Sequence, residues 1–409
     1  MANKTIPQLP EQTGKTDNDL LAIVDSGETA TSKIKVSTLL SGVGGKFIDA
    51  GGVDNIVPDY YSETAINDVI NYNFIAGGTG NAIGASSGSG YDANVILGGA
   101  NNALRRGIRH TMIGGNGNDL FTQGSNGTDS VTIGGNANTD LGWKSATIAS
   151  TTSSNNGRLN CAILGGTSNT ISNGNNRGVI IGGTGNSVTA RNDNAILGGQ
   201  SNTNAARLAT ILGGASNNCA NGSQRGSIVG GNGNTLSEAL NSTVVGGNGG
   251  TVSLTWNSVN VAPYNNGIYH DQTHGQDEGF GLYNAPLSYI RQTAGSGTGA
   301  FKGGNCSIFN SWTCDIAGQS ANETYFGTII GSESSQITGG TTGTVLIGCS
   351  GRTGLNSHTT YVETLEAFTH VVLNDYSNLN FASDSAAATG GVPLGGIYHN
   401  SGDLKVRIS

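Results

Sequence analysis

The chain has 409 residues, of which 68 are glycine and 11% charged, with a formal net charge of −8. With no basic run, this balance argues against nucleic acid as a partner, and no stretch reaches the ~18 apolar residues of a membrane span. The opening MANKTIPQLPEQTGKTDNDLL has no apolar h-region and does not read as a secretory signal.

Residues 1–45 carry a Pro-punctuated entry, a strand over 20–24, a turn at 25–27, a second strand over 33–36 and one helical turn at 37–40. A hairpin this small is marginal alone and needs a partner. Residues 46–75 read as a linker.

From residue 76 to 251 one unit recurs: FIAGGTGNAI, VILGGANNAL, AILGGTSNTI, VIIGGTGNSV and SIVGGNGNTL are examples. The first glycine of each pair falls at 77, 98, 114, 134, 165, 182, 198, 213, 230 and 246, so a spacing near 16 dominates. Each unit offers two short apolar pieces, such as 162–164 and 170–171, around a glycine-rich corner. Pieces this short are strands, because no apolar pattern runs the ~10 residues a helix needs. The paired glycines supply positive φ or close backbone approach, and the Asn of GGxxN tolerates the left-handed region or caps the turn. One coil cannot cover its apolar face, so the units stack into a quasi-one-dimensional array. The long gaps before Gly134 and Gly165 predict surface loops at 116–131 and 136–160.

Within this array GGNGNDLFT (114–122) fits the nonapeptide GGxGxDxUx of calcium-binding parallel β-helices. Such sites take ligands from consecutive copies, and the next nine residues, QGSNGTDSV, do not supply one. Asp119 is therefore a variable position, and a calcium-stabilised secreted adhesin is disfavoured.

After Gly250 the pattern lapses, so 252–305 reads as an insertion or separate lobe rich in aromatics. Trp256, Tyr264, Tyr269 and Tyr283 lie here, whereas 182–250 holds no aromatic residue. Trp and Tyr on rigid loops give large contact area at low entropic cost. With His270 and His274 they form the candidate receptor- or glycan-binding set, the alternative being that the same rings fill the core of the lobe or an interface. His270 and His274 stand four apart, as zinc-binding histidines on a helix do. Gly267, Gly275 and Gly279 flank them without a helical apolar pattern, which favours an exposed polar loop, and neither metal nor cofactor is expected.

Degenerate repeats return over 306–355 as SIFNSWTCDI, TIIGSESSQI and VLIGCSGRT. Residues 356–409 form a C-terminal module with a short helix at 383–389, stopped by Gly390 and Gly391, and a hairpin pairing 396–399 with 404–408 across 400–403. The cysteines, 161, 219, 306, 314 and 349, lack CxxC spacing and read as buried thiols, with a 306–314 disulfide as the alternative.

The opening DLLAIVDSG and KIKVSTLL strands resemble the virion-attachment domain of bacteriophage fibre proteins, and FASDSAAATGGVPLGGIYHNSGDLKVRI is similar to a terminal module of phage structural and fibre proteins. The GGxxN repeats between them resemble phage and giant-virus fibre shafts and, more distantly, the β-rolls of trimeric autotransporter adhesins. The resemblance spans nearly all of the chain except 252–305. It implies an all-β, trimeric β-solenoid or β-roll shaft with a small N-terminal attachment domain and a C-terminal β module. It also implies a virion protein made in the host cytoplasm, attached to capsid or tail proteins through residues 1–45, on the head or the tail, and adhering to a host receptor or glycan. A thin coil with open edges also favours packing on symmetric copies. A polysaccharide-depolymerising tailspike is the alternative, since such spikes use paired carboxylates. Asp140, Asp193, Glu238 and Asp315 share no recurring register, so the expectation is a binding protein and not an enzyme.

Overall fold

The computed structural model describes residues 73–363 and 376–409, apart from 85–92, 106, 122–128, 173, 190–191, 271–278, 293–304, 318–325 and 339–340, together with the backbone of five short strands before residue 68. Two compact units divide at residue 361. Among the described residues no helix is long and apolar enough to cross a membrane.

The first unit is a parallel β-solenoid. Its first ladder stacks strands one coil apart, for example Ala162–Leu164 on Val179–Ile181 on Ala195–Leu197 on Thr210–Leu212. The second ladder stacks the other strand of each coil, such as Thr170–Ile171 on Ser187–Val188 on Thr203–Asn204. Register is direct: Ile163, Ile180 and Ile196 lie level in the first ladder, Ile171 and Val188 in the second. All are fully buried, and the core is this double stack of central strand residues. It closes within one chain.

The 16-residue repeat resolves into two half-coils of one design. Strands Thr243–Val245, Thr251–Ser253, Val259–Val261 and Gly267–His270 open at 243, 251, 259 and 267, a step of 8. In each half a strand is followed by a left-handed corner and, three residues on, a second left-handed residue. Gly246, Leu254 and Ala262 hold the first of these and Gly249, Asn257 and Asn265 the second, all with φ between 47° and 69°.

The glycine pair serves the half-coil that approaches its neighbour most closely. A Cβ on Gly198 would meet nothing within 4 Å, so that position asks only for its φ of +73°. A Cβ on Gly199 would lie 2.3 Å from the Gly214 carbonyl and 2.4 Å from Asn202 Nδ2, so no side chain fits there. The Asn of GGxxN is not itself left-handed; the residue before it, Ser201 (φ 55°) or Ser216 (φ 53°), is. The Asn points inward and caps the corner. Asn202 Nδ2 donates to the Gly214 carbonyl (3.1 Å), and its Oδ1 accepts from the Asn217 backbone N (3.0 Å). Asn186 and Asn217 repeat the pattern, so buried amides run as a ladder inside the coil.

Four expectations are corrected. Residues 136–160 are not a loop but contain strands Thr139–Asp140, Ala146–Ile148 and Ser154–Asn155, with Ala149 (φ 50°) where a glycine stands elsewhere. The described parts of 252–305 are neither insertion nor lobe, since both ladders run through them. Val259–Val261 pairs with Gly281–Tyr283, and Gly267–His270 with Tyr289–Gln292. The linker also joins the ladders, through Ile56–Pro58 against Phe74–Ala76 and Ala65–Asn67 against Ala82–Gly84. Of the loop expected at 116–131, residues 119–121 are a ladder strand, and 122–128 lie outside the described residues.

Near the N-terminus, Leu20–Ile23 and Ser32–Lys35 pair antiparallel, as the hairpin reading expects. In the second unit a helix over Asp384–Thr389 is capped by Ser383, whose Oγ accepts from the Ala386 N. Strands Ile397–Asn400 and Asp403–Val406 pair across a two-residue turn, Ser401 and Gly402, both with positive φ. Asp384 ties helix to hairpin by accepting from Tyr398 Oη (2.6 Å) and the Ile408 N (2.7 Å). All five cysteines are buried thiols.

Candidate functional site

Outward positions of the octads are free of the fold's demands, and they carry the chemistry. The sixth residue of each first-ladder octad forms a column, one residue per coil: Asn248, Tyr264, Pro286, Trp312, Glu333 and Ser350. The next residue of each coil is left-handed, and Leu287, Thr313 and Ser334 donate back to the carbonyls of Tyr264, Pro286 and Trp312. Each of these residues thus stands on a hydrogen-bonded backbone corner. Tyr264 and Trp312 are 52% and 53% exposed, a high value for rings of this size.

Beside Trp312 runs a groove of about 330 Å³ lined by Asn284, Pro286, Asn310, Ser311, Trp312 and Glu333. Asn284 and Asn310 sit at left-handed corners, both with φ 45°, and Asn284 Nδ2 donates to Asn310 Oδ1 at 2.9 Å. An aromatic wall, a proline edge, amide donors and acceptors and one carboxylate fit a polyhydroxylated ligand, whose C–H faces stack on rings while its hydroxyls take the polar groups. A larger groove of about 420 Å³ by Arg207, Asn221 and Gln224 offers no aromatic wall.

The six residues singled out in the sequence do not form one site. Tyr264 joins the column. Trp256 stands on the opposite corner column, after Leu240, and is half-buried. Tyr269 lies on the second ladder, its ring 6.2 Å from Tyr289, over which Arg291 rests at 4.6 Å. Tyr283 is on the outside of the first ladder, stacked on Phe309 at 4.7 Å and 3°. His270 ends a second-ladder strand and its side chain lies outside the described residues, as does His274 entirely. Trp312, Pro286, Asn310 and Glu333 were missed. The signal was present: Trp312 in SIFNSWTC and Tyr264 in VNVAPYNN are both sixth in their octads.

Several ionisable groups elsewhere have structural partners. Asp119, the acid of the calcium-like nonapeptide, faces outward within 3.3 Å of Arg105 Nε. Arg109 pairs with Asp129 (2.6 Å), Arg177 with Asp193, and Arg291 with Asp315 (2.9 Å). Asp140 is buried, accepting from Ser145 Oγ (2.5 Å), Thr147 Oγ1 (2.9 Å) and the Gly142 N (3.1 Å); burial pushes its pKa up to about 6. His110 accepts from the Ser130 N through Nδ1 (3.1 Å), and burial pushes its pKa down to about 4. Among the described residues no three His, Cys, Asp or Glu side chains come together as a metal-ligand set.

No protein-family model and no curated protein matches the chain.

Proposed function

We propose that the chain is a structural fibre protein of a bacteriophage virion, attached to capsid or tail proteins through residues 1–45 and adhering to a host-surface saccharide without cleaving it. The observation that supports the reading most is the column that carries Tyr264, Pro286 and Trp312 on a regular coil. A parallel solenoid presents Tyr264, Pro286 and Trp312 at ~4.8 Å per coil, with each backbone fixed by inter-coil hydrogen bonds. A pre-ordered backbone lowers the entropy lost on binding, and a polysaccharide is itself a repeating ligand. The sparse charge of the chain suits an exposed shaft. The fibre is a homotrimer in this reading.

Gold-labelled antibody against residues 160–250 should decorate projections on intact phage particles. Label confined to the soluble fraction of lysed cells contradicts the virion assignment. Release of reducing ends from host polysaccharide would move the reading to a depolymerising tailspike.

A further inference from the structure

The first ladder carries a second outward pattern. Among the described residues, its outer side has no charged residue from Phe74 to Ile347. The first position of each strand is mostly small, as in Ala162, Ala195, Thr210 and Ser227, and the third is large and apolar. The large residues form a continuous row that includes Leu97, Ile181, Leu197, Leu212 and Ile347, with Ile181 45% exposed. The outer side of the second ladder is mostly polar instead, with Thr203, Ser237, Ser253 and the Arg291–Asp315 pair beside the Tyr269 and Tyr289 rings.

We propose that this row is the surface through which parallel copies of the chain pack on one another, in register, around an axis along the rod. The occupant follows from periodicity. Fourteen successive parallel pairings carry the row from Leu97 to Ile347, which at ~4.8 Å each is roughly 65 Å. A partner with any other rise loses register within a few coils. Another copy of this chain keeps it throughout, and parallel in-register packing sets Tyr283 and Phe309 level with their equivalents. A three-residue strand is about 10 Å wide, so the row offers roughly 650 Å² per copy, close to the ~800 Å² per partner of stable interfaces. The saccharide groove lies one corner away and does not include the row. The inference specifies the contact surface of the homotrimer in the reading above. It is tested by mass rather than by virion labelling or sugar binding, so the two can fail separately.

The full chain should scatter light as three times its 41.3 kDa. Leu197→Asp with Leu212→Asp should lower the mass threefold to a single chain with unchanged far-UV circular dichroism, because both side chains point outward. Ser237→Asp, outward on the second ladder, should leave the mass unchanged. In Leu164→Cys, oxidation should link two copies through residue 164, a contact that antiparallel packing would separate by several coils. The native thiols give no such link, being buried. A monomeric wild-type chain, an oligomer that survives the double substitution, or no link in Leu164→Cys overturns the proposal.

Discussion

Coils 130–155 and 162–252 share one backbone and fill it with opposite chemistry. In the later coils the inward residues are mostly Ile163, Ile171, Ile180, Val188, Ile196 and their successors, a single apolar cluster. In the earlier ones they are Thr132, Asp140, Thr147 and Asn155, all at 1% exposure or less, and the apolar core is split there. Ladder register crosses the polar stretch without a slip. The coil is therefore carried by ladders, left-handed corners and buried amides. The apolar filling adds stability but does not define the path.

The largest test of that contrast is to move the acid. Val188 occupies the second-ladder position of Asp140, three coils on, but without hydroxyl donors around it. Val188→Asp should cost more than ~4 kcal/mol or prevent folding, as an unpaired buried charge does. Asp140→Asn should instead hold or raise stability at pH 7. Urea unfolding measures both.

Acidification sharpens the same contrast. The folded pKa of Asp140 is raised from 3.8 to about 6, so this group's stabilisation is complete below the unfolded value and is lost as pH rises through about 6. The folded pKa of His110 is lowered from 6.5 to about 4, so stability falls as pH drops from 6.5 toward 4, where the unfolded chain binds the proton first. Each shift is worth ~3 kcal/mol with opposite sign, and the two nearly cancel in the wild type. Charged neighbours of His110 are Asp129 and Arg109, which are paired to each other. Asp140→Asn should expose the His110 term, with stability falling on acidification from pH 6.5 to 4. A flat profile in this variant contradicts the assignment.

Smaller effects separate corner from surface. Asn202→Ala deletes a buried cap and leaves the Asn217 N without its side-chain acceptor, which should cost ~2 kcal/mol. Arg177→Ala removes only an exposed pair with Asp193 and should change stability by less than ~0.5 kcal/mol. Thermal or urea midpoints resolve the two.

The repeat and its coil were legible because Gly198 and Gly199 cannot be replaced cheaply, one for its φ and the other for contact with Gly214. Coils without that pair were not. Ala149, Leu254 and Ala262 take the left-handed corner without being glycine, and Thr147 and Asn260 fill inward positions without being apolar. Residues 136–160 and the described parts of 252–305 therefore looked like loop and insertion while being coil. The half-coil octad was hidden for the same reason: TLSEALNS and SIVGGNGN have one backbone and almost no shared residues. The site was half legible. The stretch around Tyr264 stood out by composition, but the column is set by octad phase, which brings Trp312 beside Pro286 and sends Trp256 and Tyr269 to other sides.

The most direct test of a saccharide-adhesive fibre is calorimetric titration of the intact chain with polysaccharide extracted from the host cell surface, beside Trp312→Ala and Tyr264→Ala. The account predicts binding by the wild type and at least ~10-fold weaker binding in Trp312→Ala, as expected for losing a stacked ring, with unchanged circular dichroism and mass. Equal affinity in both variants would contradict it.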